Sequence, residues 1–287
     1  MTGQLLICTD LDRTLIPNGP QSESPNARQH FATLCACPEV TLAYVSGRHR
    51  ALIEQAISNY RLPQPDYVIS DVGTTIYVVG SDNRWTRQQA WETEIAKDWA
   101  GKSHADIKSM LSTLPALRAQ ETAKQNAFKL SYYVPLQADH RELSRLIEQR
   151  LQDKGIASRL IWSIDEPAGI GLLDVLPARA SKYHAIEALM QSNGHSYADT
   201  VFCGDSGNDI EVLASPIPAV LVGNSQPQVR ELANQLARDS GHADQLYIAR
   251  GNFMGMNGNY AGGMLEGIAH YHPDTVDRMG FVAESQQ

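Results

Sequence analysis

The feature that most constrains this chain stands at its start. Leu5-Leu6-Ile7-Cys8-Thr9 runs directly into Asp10-Leu11-Asp12-Arg13-Thr14. An apolar run without polar alternation predicts a strand buried on both faces, as in a parallel sheet covered by helices. In open α/β sheets, ligands bind beyond the C-terminal ends of the strands. Two carboxylates two residues apart are delivered to that edge. The plainer reading has Asp10 capping a turn and Asp12 solvated. An isolated D-x-D-x-T is compatible with both, so the rest of the chain decides.

That rest alternates. Pro17 to Pro25 predicts a loop, Asn26 to Cys35 a helix, and Val40 to Val45 a second buried strand ending in Ser46-Gly47-Arg48. Leu52, Ile53, Ala56 and Ile57 share a helix face, and Tyr67 to Ser70 is a third strand. Strand–helix–strand–helix–strand with short links specifies a doubly wound parallel sheet of Rossmann type. The rhythm then breaks. Thr75 to Val79 and the Gly80–Asn83 turn predict a hairpin, and Trp85 to Ile170 offers helix, helix, strand, helix, strand. Ser158–Ile164 and Gly171–Leu176 are predicted as strands of this insert. The βα pattern resumes at Ser181-Lys182 and continues through strands at Thr200–Cys203, Ala219–Val222 and Gln245–Ala249 to a last helix at Gly262–Tyr271. The expected organisation is an α/β core in two parts, 1–79 and 174–287, interrupted by an α+β cap at 80–173.

Length and charge bound the function. At 287 residues the chain exceeds the usual single-core size. A formal charge of −8 argues against nucleic-acid or anionic-membrane binding, which need a basic face. No apolar stretch approaches the ~20 residues of a membrane span. The N-terminus lacks the basic and apolar regions of a signal peptide, so the cytoplasm is the expected location. Cys8 and Cys203 fall in buried strands, and the lone Cys35-x-Cys37 has no partner pair at zinc spacing.

Four segments are expected at one edge of the sheet: Asp10-Leu11-Asp12-Arg13-Thr14, Ser46-Gly47-Arg48, Lys182, and Gly204-Asp205-Ser206-Gly207-Asn208-Asp209. In order and spacing they resemble the four signature motifs of the haloacid dehalogenase superfamily of phosphatases. The resemblance implies a Mg²⁺ ion contacted by the Asp10 carboxylate, the Asp12 backbone carbonyl and Asp205, with Asp209 in support. Such a cation is needed, since like charges 4 Å apart repel by roughly 4 kcal/mol at an effective dielectric of 20. It further implies Asp10 as the nucleophile forming an aspartyl-phosphate, and Asp12 as general acid and base. Ser46 and the Gly47 N–H would hold phosphoryl oxygens, with Arg48 and Asn208 also on the phosphate or substrate. Lys182 would neutralise charge on nucleophile and phosphate. Singly, each has a plainer reading: Ser46 as helix N-cap, Lys182 as a solvated lysine, Asn208 and Asp209 as first-turn residues.

An insertion between Ser46 and Lys182 resembles the type-2, α/β-capped branch, whose caps select the substrate. Within it the chain is most similar to sucrose-phosphate phosphatases. Ala43-Tyr44-Val45-Ser46-Gly47-Arg48, Val72-Gly73-Thr74-Thr75-Ile76-Tyr77, Phe128-Lys129-Leu130-Ser131-Tyr132, Asp174-Val175-Leu176-Pro177 and Ala261-Gly262-Gly263-Met264-Leu265-Glu266-Gly267-Ile268 carry the likeness. Trp162–Gly171 and Asn252–Asn259 depart from it as long loops. The resemblance implies hydrolysis of sucrose 6-phosphate, with the cap, Lys129 foremost, reading the sugar. Another glycoside phosphate such as mannosylfructose phosphate, a phosphomutase reaction, or a non-catalytic binding module are the alternatives, and contact with a sugar-phosphate synthase stays open. Gly101-Lys102-Ser103 imitates the end of a P-loop, but position 96 is Ala and no strand precedes it. No chemistry is assigned to His49, His184, His270 or His272.

Overall fold

The computed structural model describes residues 4–165 and 168–281. It begins β1 (Leu5–Thr9), α1 (Ala27–Cys35), β2 (Val40–Val45), α2 (Arg50–Tyr60), β3 (Tyr67–Ser70), β4 (Thr75–Val79) and β5 (Trp85–Arg87). The middle holds α3 (Gln89–Ala96), α4 (His104–Leu111), β6 (Arg118–Ala119), β7 (Leu130–Val134), α5 (His140–Gln152), β8 (Ser158–Asp165) and β9 (Ile170–Pro177). The last part is α6 (Lys182–Asn193), β10 (Thr200–Gly204), α7 (Ile210–Leu213), β11 (Ala219–Leu221), α8 (Pro227–Asp239), β12 (Leu246–Ile248) and α9 (Tyr260–Tyr271).

Eight strands form the main sheet in the order β12-β11-β10-β1-β2-β3-β4-β5. β12 through β3 are parallel; β4 and β5 add an antiparallel edge. Successive strands wind one way from β1 and the other way from β10, so the switch point lies between these neighbours. That crevice is where an open sheet of this kind binds its ligand. Every residue of β1 is buried, which explains its unbroken apolar run. One face packs Phe31 and Leu34 of α1 with Met264, Leu265 and Ile268 of α9. The other packs Ile186 and Leu189 of α6 with Val212 and Leu213 of α7. Cys8 and Cys203 are free and buried on opposite faces.

The second sheet is antiparallel, ordered β6-β7-β9-β8. Its own core joins Leu130, Tyr132, Leu173 and Val175 to Ile107 and Leu111 of α4 and Leu143, Ile147 and Leu151 of α5. The limits 80 and 173 shift accordingly. β5 is hydrogen-bonded to β4 in the main sheet, and Trp91 and Ile95 of α3 pack with Leu6, Cys8 and Val45. Trp99, three residues after α3, is the first to enter the cap core. At the far end, β9 stays paired to β8 through Pro177. Asp98 joins the two crossings: its carboxylate accepts the Arg179 backbone N–H at 2.7 Å and lies 3.0 Å from the Arg179 guanidinium.

Two segments predicted as loops have structure. The strands predicted at Ser158–Ile164 and Gly171–Leu176 are β8 and β9, paired from Ser158↔Pro177 to Asp165↔Ile170, so both ends of Trp162–Gly171 lie in strands, with 166–167 outside the described residues. The chain at 250–259 is fastened from beneath by buried Glu266, which accepts the Arg250 and Gly251 N–H groups and the Tyr247 hydroxyl. Gly101-Lys102-Ser103 is the approach to α4, where Ser103 and Asp106 form a capping box.

Candidate active site

Asp10 follows β1 and Asp205 follows β10, so the switch point brings two carboxylates together. Lys182, first residue of α6, reaches across with its ammonium 2.8 Å from Asp10 Oδ1 and 2.6 Å from Asp209 Oδ1. The other Asp209 oxygen accepts the N–H groups of Asp205 and Ser206 at 3.1 and 3.0 Å. Gly204 is required here, because a Cβ would stand 2.7 Å from the Asp209 carboxyl. Asp209 is therefore a fixed brace for the Gly204–Asp209 turn and for Lys182, beyond any effect on a helix dipole.

The cluster holds more negative charge than one lysine offsets. Burial, with the charges of Asp209 and Asp205, pushes the Asp10 carboxyl up to about 8 against the pull of Lys182. Burial and Asp209 likewise push Asp205 up to about 7, opposed by Arg13 and Lys182. Burial works against the Lys182 ammonium, but Asp10 and Asp209 outweigh it and hold it above its ordinary range. Carboxylate oxygens of Asp10, Asp205 and Asp209 lie within 4.8 Å of one another. An all-oxygen donor set with excess negative charge fits a small hard dication such as Mg²⁺. Arg13, with φ 59°, sets its Nε 3.6 Å from Asp205 Oδ2.

Ser46 is buried beyond β2, three residues before His49, the N-cap of α2. Its hydroxyl thus does not cap that helix; it accepts the Arg48 N–H at 3.2 Å. Arg48 itself is engaged differently from the sequence expectation. Its guanidinium donates twice to Asp12, at 2.7 and 2.6 Å, while Asn18 donates a third bond to that carboxylate at 2.7 Å. The planar fork of arginine matches a carboxylate bidentately, which explains the pairing. Burial would raise the Asp12 carboxyl, but Arg48 and Asn18 outweigh it and hold it below the usual range.

Asp10, Asp12, Ser46, Arg48, Lys182 and Asp205 line a cleft of about 550 Å³, together with Asn208. The cap adds Ser131, Ser163 and Asp174 from the second sheet and Gln120, Lys124 and Lys129 from the segment between β6 and β7.

The family profile of sucrose-6F-phosphate phosphohydrolase matches residues 3–272. The chain belongs to that family. It is a phosphoric monoester hydrolase of the haloacid dehalogenase superfamily. A HAD-like hydrolase of Nitrosococcus oceani is 51% identical over 275 residues, covering 96% of this chain and 74% of that protein. Sucrose-phosphatase 1 of Nicotiana tabacum is 27% identical over 286 residues, which span 96% of this chain but 61% of the tobacco protein. The solved sucrose-phosphatase of Synechocystis, in complex with sucrose and phosphate, superposes with a TM-score of 0.70 at 27% identity. That match covers 94% of this chain and 98% of the Synechocystis chain.

In this family member Lys129, expected to read the sugar, stands just before β7. It is buried and lines the cleft, 3.3 Å from Asp71 and 4.0 Å from Asp174. Asp174 also accepts the Ser131 hydroxyl, and burial, ahead of the opposing Lys129 and Ser131, pushes its carboxyl up. Sequence reasoning passed over Asn18, Asp71 and Asp174 as site residues. Asp174 had left a signal, being an acid inside the apolar run Gly171–Leu176. Asp71 had left another, an acid following a buried strand at the same sheet edge as Asp10 and Asp205. His49 lines the cleft, whereas His184 pairs with Ser181 Oγ at 2.9 Å outside it.

Proposed function

We propose that the chain hydrolyses a disaccharide phosphate, sucrose 6-phosphate foremost, to the free sugar and inorganic phosphate through an aspartyl-phosphate on Asp10. The observation that carries this is the Lys182–Asp10 contact in a cleft also lined by polar cap side chains. A carboxylate oxygen of Asp10 attacks phosphorus, and the bond from phosphorus to the sugar oxygen breaks. Asp12 gives its proton to the departing alkoxide, then takes one from the water that attacks the aspartyl-phosphate and releases phosphate. For this, the Arg48 and Asn18 bonds that keep Asp12 ionised must yield when substrate enters. Lys182 stays beside Asp10 throughout and spreads positive charge toward the phosphoryl oxygens. Ser46 Oγ and the Gly47 N–H orient those oxygens, with Asn208 also lining the cleft. Mg²⁺, held by Asp10, Asp205 and the Asp12 carbonyl with Asp209 in support, would supply the charge neutralisation that lets anions meet.

The cap side of the cleft selects the sugar. Sites that hydrogen-bond hydroxyls reject analogues lacking them far better than apolar pockets do. Lys129, Asp174, Ser131, Gln120, Lys124 and Ser163 offer both donors and acceptors. Released phosphate, measured with Mg²⁺ on sucrose 6-phosphate, mannosylfructose phosphate, glucose 6-phosphate and fructose 6-phosphate, tests the assignment. Sucrose 6-phosphate should exceed the two monosaccharide phosphates in kcat/KM by at least ~100-fold. Comparable values for all would end the disaccharide assignment, preference for mannosylfructose phosphate would change the sugar, and isomerisation without phosphate release would mark a mutase.

A further inference from the structure

Three successive residues after β3 have positive φ: Asp71 at 50°, Val72 at 61° and Gly73 at 93°. For β-branched Val72 this is an unfavourable conformation, costing on the order of 1–3 kcal/mol, and it persists only where surroundings over-determine it. They do. The Asp71 N–H donates to the Arg48 carbonyl at 3.0 Å, and the Val72 N–H to the Ser46 carbonyl at 3.2 Å. The Gly73 carbonyl accepts the Trp91 indole N–H at 2.9 Å. A Cβ on Gly73 would stand 2.4 Å from the Ser181 carbonyl, so only glycine lets the turn abut the start of α6. The turn is thus fixed against the two backbone segments that present Ser46 and Lys182.

From this core turn, the Asp71 carboxylate reaches Lys129 on the cap at 3.3 Å, both side chains being nearly buried. The second acid near Lys129, Asp174 at 4.0 Å, lies on β9, paired to the strand that follows Lys129. Asp174 therefore relates Lys129 only to its own sheet. Asp71 alone of the two relates the ammonium to the Ser46–Arg48 loop.

We infer that Asp71 is a positioning residue for substrate selection, which rests on the proposed part of Lys129 in reading the sugar. Lysine is a flexible stem with a compact charge. Anchored to Asp71, its ammonium stands at a fixed separation from the phosphate site. A substrate with phosphate and sugar at set spacing is discriminated by that separation, as positioning groups discriminate generally. The strained turn is what keeps the anchor rigid.

The test compares Asp71→Asn, Lys129→Met and the double variant, each assayed with Mg²⁺ on sucrose 6-phosphate and p-nitrophenyl phosphate, with melting temperatures alongside. Asp71→Asn should lower kcat/KM on sucrose 6-phosphate about tenfold more than on the aryl ester, chiefly through KM. The double variant should fall within about threefold of Lys129→Met, since two residues acting as one unit are non-additive. Asp71→Ser should reproduce the loss of preference, so that the result does not hang on one folded variant. Equal losses on both esters, or additive losses in the double variant, overturn the positioning role while leaving Lys129 as a sugar reader. Unchanged preference in Lys129→Met overturns the sugar-reading role itself, and this inference with it.

Discussion

Asp10→Asn should abolish turnover and yet stabilise the metal-free fold. The folded chain holds the Asp10 carboxyl near 8, against an ordinary 3.8, because burial and two neighbouring acids disfavour its charge. A carboxyl raised in the native state contributes stability that is complete below its unfolded value and is lost as pH rises through the folded one. Wild type without metal should therefore weaken steadily between about pH 4 and pH 8. At 1.36 kcal/mol per pH unit, the ceiling on that loss is ~6 kcal/mol. Lys182 remains beside the ionised form, and protons are shared with Asp205, so we expect about 2 kcal/mol.

An asparagine has the same shape and no charge to disfavour, and its oxygen can still accept from Lys182. Unfolding entropy of about 2.1 cal/mol/K per residue makes about 600 cal/mol/K over 287 residues. A gain of about 2 kcal/mol then raises the melting temperature by ~3 °C. Calorimetric melts in EDTA should show Asp10→Asn above wild type by this amount at pH 8 and nearly level with it at pH 4. Adding Mg²⁺ at pH 8 should raise wild type and move the variant less. An Asp10→Asn protein that melts below wild type at pH 8 without metal, or by the same margin at both pH values, refutes the electrostatic account. Retention of a tenth of wild-type turnover refutes the nucleophile.

Asp12→Ala should slow phosphoenzyme formation more with sucrose 6-phosphate than with an aryl phosphate, whose leaving group needs no proton; equal single-turnover losses contradict the acid role. Arg13→Gln removes a positive charge 3.6 Å from Asp205 and should tighten Mg²⁺ binding at least ~5-fold by calorimetric titration, with unchanged or weaker binding counting against it. Gly73→Ala forces a Cβ to 2.4 Å from Ser181 backbone at a φ of 93° and should cost roughly 3 kcal/mol or more in urea unfolding. A loss under ~1 kcal/mol would mean that the turn yields easily.

The core was legible because its chemistry and its packing leave coincident marks. Strands buried on both faces read as continuous apolar runs, and the residue after each run falls at the ligand-binding edge by topology alone. Asp10, Ser46 and Asp205 could thus be placed before any coordinates. β6 left no such mark, and β5 was signalled only by the Gly80–Asn83 turn of the predicted hairpin. Trp85-Thr86-Arg87 buries only its tryptophan, and both residues of Arg118-Ala119 are exposed, so each is a strand only through its neighbour. α3 shows a related failure. Trp91, Ile95 and Trp99 share one helical spacing, yet the first two pack on the main sheet and the third in the cap. Periodicity reports that a face is buried, not against what.

The cap side of the cleft was harder for a deeper reason. Strand alternation puts Lys129 and Ser131 on one face, but what an ammonium does there depends on partners distant in sequence. Asp71 and Asp174 convert a nominally exposed lysine into a buried one, and neither contact follows from local spacing. Arg48 makes the same point inside a motif. The resemblance put it on the phosphate or substrate, and in the structure its fork pairs with Asp12. A phosphate site is a strand end plus backbone N–H groups, which sequence order delivers. The cap side of the cleft is a set of side-chain pairings between cap and core, and the register Ser131↔Asp174, set against the left-handed turn at Asp71, brings those pairings into existence.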